Sequence, residues 1–390
     1  MKKRKILVIT TGGTIAAVEK DGVRVLGDME TFCHNLLDNT HFENVSIDVI
    51  SPLNTFSENM TIKKWQVLLQ CIKQRLSSDK NIAISNDANE VDTKSFDKIP
   101  SSDIDGIIIT HGSDTMAYTA SMLSFATQGL NIPIVLVASS QPIIGCSDSN
   151  GNTNFSAAVH FITGTQYSGT FVAYSYNNID TTVYVGERVL QSQSFVDRYA
   201  TFGSHCDFGV IDKDGKFDPR DVELCKSKMH KSNKLSNNSH SSNSLDIKSN
   251  AQTNIPLLYK IPDIASLNSN ILIITPHVGM DFSAFSLEHI DTVVINPYHS
   301  ATYCWLDDSD DKYSIQTLCK KCEDRNIPIM MSPCRQHAPL YNSSKNNIIR
   351  LCNISLEATY SKILWANSVY EIGSQEWLEF LNKPICNEFV

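Results

Sequence analysis

The sequence predicts an α/β protein, with a larger N-terminal doubly wound and mainly parallel sheet and a smaller C-terminal α/β domain. Short, continuous, mostly β-branched runs at residues 6–9, 107–109 and 132–138 have the length of strands buried on both faces. Segments with apolar residues at helical spacing alternate with them, an order that gives parallel strands joined by right-handed crossovers. The pattern then resumes at residue 271, after a long polar stretch.

At 390 residues the chain can hold two sizeable cores, and 42% hydrophobic with 19% charged residues is ordinary for a globular protein. The expected organisation is a catalytic domain over residues 1–205, a hairpin and linker over 206–268, and a second domain over 269–390. Residues 226–254 are rich in Ser, Asn and Lys and bury too little apolar surface to offset their ordering entropy, so disorder is expected there. The net charge of −9 disfavours nucleic acid as a general partner, and no apolar run approaches a membrane span, so no membrane partner is expected. The basic start, Lys2 to Lys5, is read as mature protein rather than a leader. Eleven scattered cysteines in a chain of this size fit reduced thiols and a cytoplasmic location.

In chain order, Ile6 to Ile9 is a strand that breaks into Gly12-Gly13, a tight turn that lets a ligand approach the backbone and sets Thr14 just beyond it. Thr14 is the candidate nucleophile; a capping threonine in a Gly-Gly turn reads the same stretch. Residues 17–27 have no clear period and are expected to form a mobile loop, with Glu19 and Arg24 in it. A helix at 29–37 and a strand at 45–50 follow, then a loop carrying Ser57 and Glu58. Thr61 caps a helix whose Trp65, Leu68, Leu69 and Ile72 repeat at i, i+3, i+4 and i+7.

Residues 105–116 repeat the opening design, with a buried strand, a polar turn around Gly112, and a helix. The strand at 132–138 ends in Ser139, and residues 154–161 read as a helix. Strands at 169–174 and 182–185 and a hairpin turning at Asp214-Gly215 complete the first part. Beyond it come strands at 271–275, 292–295 and 327–331 and helices at 315–325 and 354–365, the last with Ser355 as cap and Glu357 in its first turn.

A hydroxyl that attacks a carbonyl needs an outlet for its proton and fixed donors for the oxyanion, and a small zwitterionic substrate needs its ammonium and carboxylate held. Ser113 can relay a proton, Asp114 can accept from an ammonium, and the backbone amides at the two helix entries can hold an anion; by composition alone, Ser113-Asp114 is slightly better explained as a helix cap. His111, between a strand and Gly112, reads as structural. Cys319 and Cys322 fall on a helix with no second pair, so no metal is expected. Tyr298-His299-Ser300 is read as structural, since adjacent loop residues rarely face each other.

Thr11-Gly-Gly-Thr-Ile-Ala16 with Thr110-His-Gly-Ser-Asp-Thr-Met-Ala-Tyr-Thr-Ala120 resembles the two signature motifs of the bacterial-type L-asparaginases, in particular the cytoplasmic type I group. Ser57-Glu-Asn-Met60 resembles their substrate-binding segment, residues 209–217 their interdomain hairpin and residues 354–365 a helix of their C-terminal domain. The resemblance implies hydrolysis of asparagine to aspartate and ammonia through a threonine acyl-enzyme, with no cofactor, in homodimers or homotetramers. Thr14 would attack, Ser113 would help activate the hydroxyl or the water, Asp114 and Glu58 would hold the α-ammonium, and Ser57 the α-carboxylate. Gly13 and Ser139 would complete the contacts to substrate. Glutamine is the alternative amide.

Two positions depart from the family pattern. Gln191 occupies the place of its lysine, and a glutamine does not accept a proton as a neutral lysine does. Val23 falls near the place of its loop tyrosine. These departures motivate a second expectation, a weakened or inactive amino-acid-binding or regulatory protein. A third, the related amidotransferase component acting for glutamyl-tRNA, is disfavoured by the negative charge and by the lack of an extra N-terminal domain.

Overall fold

The computed structural model describes residues 3–38, 42–76, 104–193, 195–203, 207–229, 264–306, 311–336 and 348–390. Within these residues, two sheets carry the fold. The larger is built from β1 (Arg4–Thr10), β4 (Val45–Ile50), β5 (Gly106–Thr110), β6 (Pro133–Val137), β7 (Gly169–Tyr174), β8 (Thr181–Val185), β11 (Gly209–Ile211) and β12 (Phe217–Pro219), in the spatial order β12-β11-β8-β7-β6-β5-β1-β4. Strands β4, β1, β5, β6 and β7 are parallel, and β8, β11 and β12 continue the sheet antiparallel. The smaller sheet is wholly parallel, β13 (Ile271–Ile274), β14 (Thr292–Ile295), β15 (Ile329–Cys334) and β16 (Ile349–Cys352) in that order.

Alternation along each buried strand divides the large sheet into two faces. Ile6, Val8, Ile108 and Val135 point to one side and pack with Phe32 of α1 (Met29–Asp38) and with Phe155 and Phe161 of α4 (Gly151–Gly164). Leu7, Ile9, Ile107, Ile109 and Leu136 point to the other. There they meet Trp65, Leu68 and Leu69 of α2 (Ile62–Leu76) and Leu123 and Phe125 of α3 (Met116–Ala126). The same cluster runs on through Ile363 and Trp365 of the helix Leu356–Val369 and Trp377 of the helix Gln375–Asn382 to Val294 and Met330 of the small sheet. A helical layer thus lies between two sheets, which leaves the helix Met116–Ala126 and most of Leu356–Val369 buried nearly all round, polar side chains such as Glu357, Thr359, Ser361 and Lys362 included. The far face of the small sheet is covered by α6 (Ile315–Glu323) through Ile315, Leu318 and Cys322; the short α5 (Val222–Lys228) precedes it, and the two C-terminal helices, Leu356–Val369 and Gln375–Asn382, are α7 and α8.

Several sequence expectations are corrected. Residues 17–27 form an antiparallel hairpin of β2 (Ala17–Lys20) and β3 (Val23–Leu26), not an irregular loop. Asp21 and Gly22 both take positive φ, 53° and 74°, the conformation an Asp-Gly hairpin turn requires. Disorder over 226–254 does not extend to its start: Lys226 to Lys228 end α5, the buried Lys228 ammonium lies 2.5 Å from Glu187, and Met229 bridges to Tyr167; residues 230–254 lie outside the described residues. The strand expected at 327–331 begins at Ile329, after Pro328. His299 and Ser300 do face each other, at 3.1 Å, although both are solvent-exposed. Among the described residues, no helix is long and apolar enough to cross a membrane.

Candidate functional site

Four neighbouring strands of the large sheet, β4, β1, β5 and β6, end at one edge, and their ladder continues into the loops beyond. Thr11 donates its backbone N–H to Thr110 O at 3.1 Å and its hydroxyl to the same oxygen at 2.8 Å. Thr55 N–H donates to Thr11 O at 2.9 Å, Gly13 N–H to Thr55 O at 2.8 Å, and His111 N–H to Val137 O at 2.8 Å. Backbone bonds therefore tie three strand-end turns together, reinforced by the Thr11 hydroxyl. The turns then bend into short 3-10 segments, Thr14–Ala16, Ser57–Asn59 and Ser113–Thr115.

Glycine is required where these turns touch. Gly13 has φ 80°, and a Cβ there would lie 2.5 Å from the backbone nitrogen of Gly112. A Cβ on Gly112 would in turn lie 2.5 Å from Ser57 Oγ and 2.6 Å from Ser57 Cβ. Neither contact can be relieved by turning a flexible side chain. The residues after these two glycines, Thr14 and Ser113, are both half-buried beside the buried Ser57. Glu58 and Asp114 follow on the exposed side of the same turns. Thr115 Oγ1 donates to Ser57 O at 2.8 Å, bracing one turn on the other. The structure thus brings Gly13, Thr14, Ser57, Glu58, Ser113 and Asp114 to one place.

Ser139 closes β6 at the same edge but is fully buried. Its hydroxyl is taken up by Gln141 O, Ser149 Oγ at 2.9 Å and Asn150 Oδ1 at 2.9 Å. That network sets the loop from Ser139 to Asn150, whose Ile143 N–H meets Ile15 O at 3.3 Å. Ser139 therefore shapes the wall beside Thr14 with its loop. The hairpin β2–β3 is pinned to this loop by Arg24, which contacts Ser140 O and the side chain of Gln141, while Val23 at its turn is exposed.

His111 is fully buried, with Nδ1 2.8 Å from Gly112 O and Nε2 3.0 Å from Thr119 Oγ1. Trp65 Nε1–H donates to that threonine oxygen at 2.9 Å, which fits a neutral ring with its proton on Nδ1. Burial pushes the imidazole down to about 4. Both ring nitrogens are occupied, in line with the structural reading of the sequence.

Four further residues hold the site, and two of them, Lys64 and Tyr199, escaped sequence reasoning. Lys64 Nζ donates to Thr55 Oγ1 at 2.8 Å and to Asn59 O at 2.7 Å, gripping both ends of the segment that carries Ser57 and Glu58. Its place two residues into a capped helix gave no hint of this. Tyr199, buried at the rim of the two-residue strands β9 (Val189–Leu190) and β10 (Ala200–Thr201), donates its hydroxyl to Ser113 O at 2.8 Å. Gln191 Nε2 donates to Asp114 O at 2.9 Å, so this residue reaches the second turn. Glu357 of α7 accepts from Gln191 N at 2.8 Å.

Comparison with known proteins accords with this geometry. The model of the asparaginase N-terminal domain matches residues 5–84 and 89–214. A glutamyl-tRNA(Gln) amidotransferase subunit of Thermoplasma acidophilum is 32% identical over 161 residues, 40% of this chain and 32% of that protein. Its counterpart in Methanopyrus kandleri is 30% identical over 171 residues, 43% of this chain and 31% of that one. The matched part spans about a third of these curated relatives. Among solved structures, the thermostable L-asparaginase of Thermococcus kodakarensis superposes with a TM-score of 0.67 at 19% identity over 99% of both chains. L-asparaginase I of Vibrio cholerae gives 0.67 at 16% identity, covering 100% of this chain and 99% of that one. With its N-terminal half matched by the family model and its two-sheet fold shared with these structures, the chain belongs to the asparaginase family.

Proposed function

We propose that the protein hydrolyses the side-chain amide of L-asparagine, giving L-aspartate and ammonia. The observation that carries this reading is the backbone-to-backbone contact of the Gly13 and Gly112 turns, which seats Thr14, Ser113 and Asp114 beside Ser57 and Glu58. The Thr14 hydroxyl adds to the amide carbon and loses its proton through Ser113 or a water it orders. Main-chain N–H groups of the turns stabilise the oxyanion, as fixed donors do in acyl transfer. Collapse expels ammonia, which takes up the proton, and leaves aspartate esterified to Thr14. Water then cleaves the ester. Asp114 and Glu58, exposed carboxylates on adjacent turns, hold the α-ammonium, and Ser57 holds the α-carboxylate. Every reacting group is a side chain or backbone amide of the chain, so no cofactor is called for.

The neutral imidazole of His111 takes no part, since both nitrogens are engaged. Gln191 favours a second reading. Its amide donates to Asp114 O and has no basic atom to offer, so the pocket can hold an amino acid while turning it over slowly. The amidotransferase relatives add L-glutamine as a candidate amide; one methylene changes pocket discrimination by only about 1–3 kcal/mol.

Ammonia release from both amides tests the proposal, with wild type and Thr14→Ala side by side. Release from asparagine that Thr14→Ala abolishes is the expected result. Undiminished release in the variant overturns the threonine mechanism. No release from either amide, with aspartate still bound in calorimetry, gives the second reading.

A further inference from the structure

The carboxyl of Glu357 takes no part in the chemistry proposed above. It lies at the second residue of α7, capped by Ser355, whose hydroxyl accepts Ala358 N–H at 3.1 Å. The side chain is 5% exposed, and among the described residues its Oε2 has no hydrogen-bond partner. A carboxyl so buried and half-satisfied is costly, and its other oxygen identifies what the cost supports. Glu357 Oε1 accepts the backbone N–H of Gln191 at 2.8 Å, and the side chain of Gln191 donates to Asp114 O at 2.9 Å. The chain of contacts therefore runs from the C-terminal helix through one residue to the turn that bears Asp114. Burial raises this carboxyl, while the hydrogen bond from Gln191 works in the opposite direction.

We propose that Glu357 is a positioning residue of the amide-hydrolysis site, anchoring the backbone at Gln191 so that Gln191 holds the Asp114 turn in place. The proposal rests on the functional reading above and adds a residue from the other end of the chain. The segment it anchors is short and Gln191 itself is exposed; its other ties are the two-residue pairing of β9 with β10, the buried Val189 and the Ser192 hydroxyl on Val196 O and Arg198 O, none of which fixes the Gln191 N–H. The N-terminus of α7 favours a carboxylate at this place, which keeps the acceptor strong.

The test compares Glu357→Gln with Glu357→Ala in the full-length protein. Glutamine keeps an oxygen that can accept the Gln191 N–H and removes the charge; alanine removes the acceptor. For positioning, Glu357→Ala raises KM for asparagine and Kd for aspartate about tenfold, the loss of one hydrogen bond to a charged group, while kcat falls less. Glu357→Gln stays within about twofold of wild type. Hydrogen–deuterium exchange, which needs no substrate, is expected to speed up in Glu357→Ala at residues 189–193 and 113–117. Unchanged exchange in both segments overturns the proposal, whatever the activity. Equal damage in the two variants also overturns it, because the carboxyl would then act by its charge or proton. Faster exchange in a protein that neither binds nor hydrolyses the amide keeps the anchor and removes the reaction. Should Glu357→Ala fail to fold, Glu357→Asp, one methylene short of the Gln191 N–H, takes its place in every comparison.

Discussion

Gly112→Ala isolates the contact on which the site depends. At φ −87° and ψ 148° alanine is conformationally free, so the whole effect comes from the methyl group. The new Cβ would sit 2.5 Å from Ser57 Oγ, 2.6 Å from Ser57 Cβ and 3.2 Å from Ser57 N. Carbon atoms at rest lie about 3.5–4.0 Å apart, so the two turns must separate by roughly 1 Å. Ser57 cannot rotate away, because its own Cβ and nitrogen are among the atoms struck. Its carbonyl is also held by Thr115 Oγ1 at 2.8 Å and Met60 N–H at 2.9 Å. Overpacking of this kind costs about 1–3 kcal/mol, read as a lower midpoint in urea. If Ser57 binds the substrate carboxylate, the same movement weakens a hydrogen bond to a charged group by about 1.5–3 kcal/mol, a roughly 10- to 150-fold rise in KM and in Kd for aspartate. Gly164→Ala is the control, since a Cβ there meets nothing within 4 Å, and it should leave binding untouched. A Gly112→Ala protein with wild-type KM and midpoint would refute the claim that these turns are held at contact distance.

Three other outcomes follow from the same structure. His111, held near 4 in the folded protein against 6.5 when free, binds its proton more readily in the unfolded chain. Its contribution to stability is complete above pH 6.5 and is lost as pH falls toward 4, at 1.36 kcal/mol per pH unit roughly 3 kcal/mol in all. Urea unfolding at pH 7.5 and 4.5 should show wild type losing more stability than His111→Gln; parallel losses would refute this. Gln191→Lys puts an amine beside Asp114 O and should raise kcat for asparagine at least about tenfold, the low end of what a placed base gives; a flat kcat locates the limit elsewhere. Glu388→Ala strips the buried Lys362 of its partner at 2.5 Å and leaves Ile385 N and Cys386 N without an acceptor. A loss of about 3–5 kcal/mol in urea is expected, and a loss below 1 kcal/mol would mean that the ion pair does not fasten the C-terminal tail.

Much of the fold is legible in the sequence because parallel strands buried on both faces spell out continuous apolar runs. Residues 45–50, 169–174 and 292–295 match their strands residue for residue. The hairpin after Thr14 was hidden, since β2 and β3 are exposed at half of their positions and lack a buried stripe. Its Asp21-Gly22 turn was the available signal. Antiparallel pairs of two residues, such as β9 and β10, carry no periodicity to detect, and with them Tyr199 and the reach of Gln191 stayed out of sight. Glu357 was visible as a helix-start acid, yet a first-turn acid is ordinarily solvated, and only the packing of α7 on α3 puts this one indoors. Lys228 was lost in a polar run for the opposite reason, because Glu187, forty-one positions away, is what lets its charge be buried.

The candidate site has two kinds of determinants, and they respond differently to sequence change. Its shape comes from main-chain bonds between strand ends and from glycines at which any side chain would collide, so it survives wherever those glycines and the strand order survive. Under the proposed function its proton traffic would come from side chains at the rim, Ser113, Asp114 and the residue at 191, which backbone bonds do not specify. On the proposed reading, Gln191 in the place where the resemblance implies a lysine is compatible with an amino-acid pocket, since its amide spans to Asp114 O. The substitution keeps the donor that orders the turn and removes the group that could take a proton. On the proposed reading binding and turnover are separable: variants at Gly13 and Gly112 should lose both together, and Gln191→Lys, whose ammonium can still donate to Asp114 O, should change turnover while leaving aspartate affinity within about threefold.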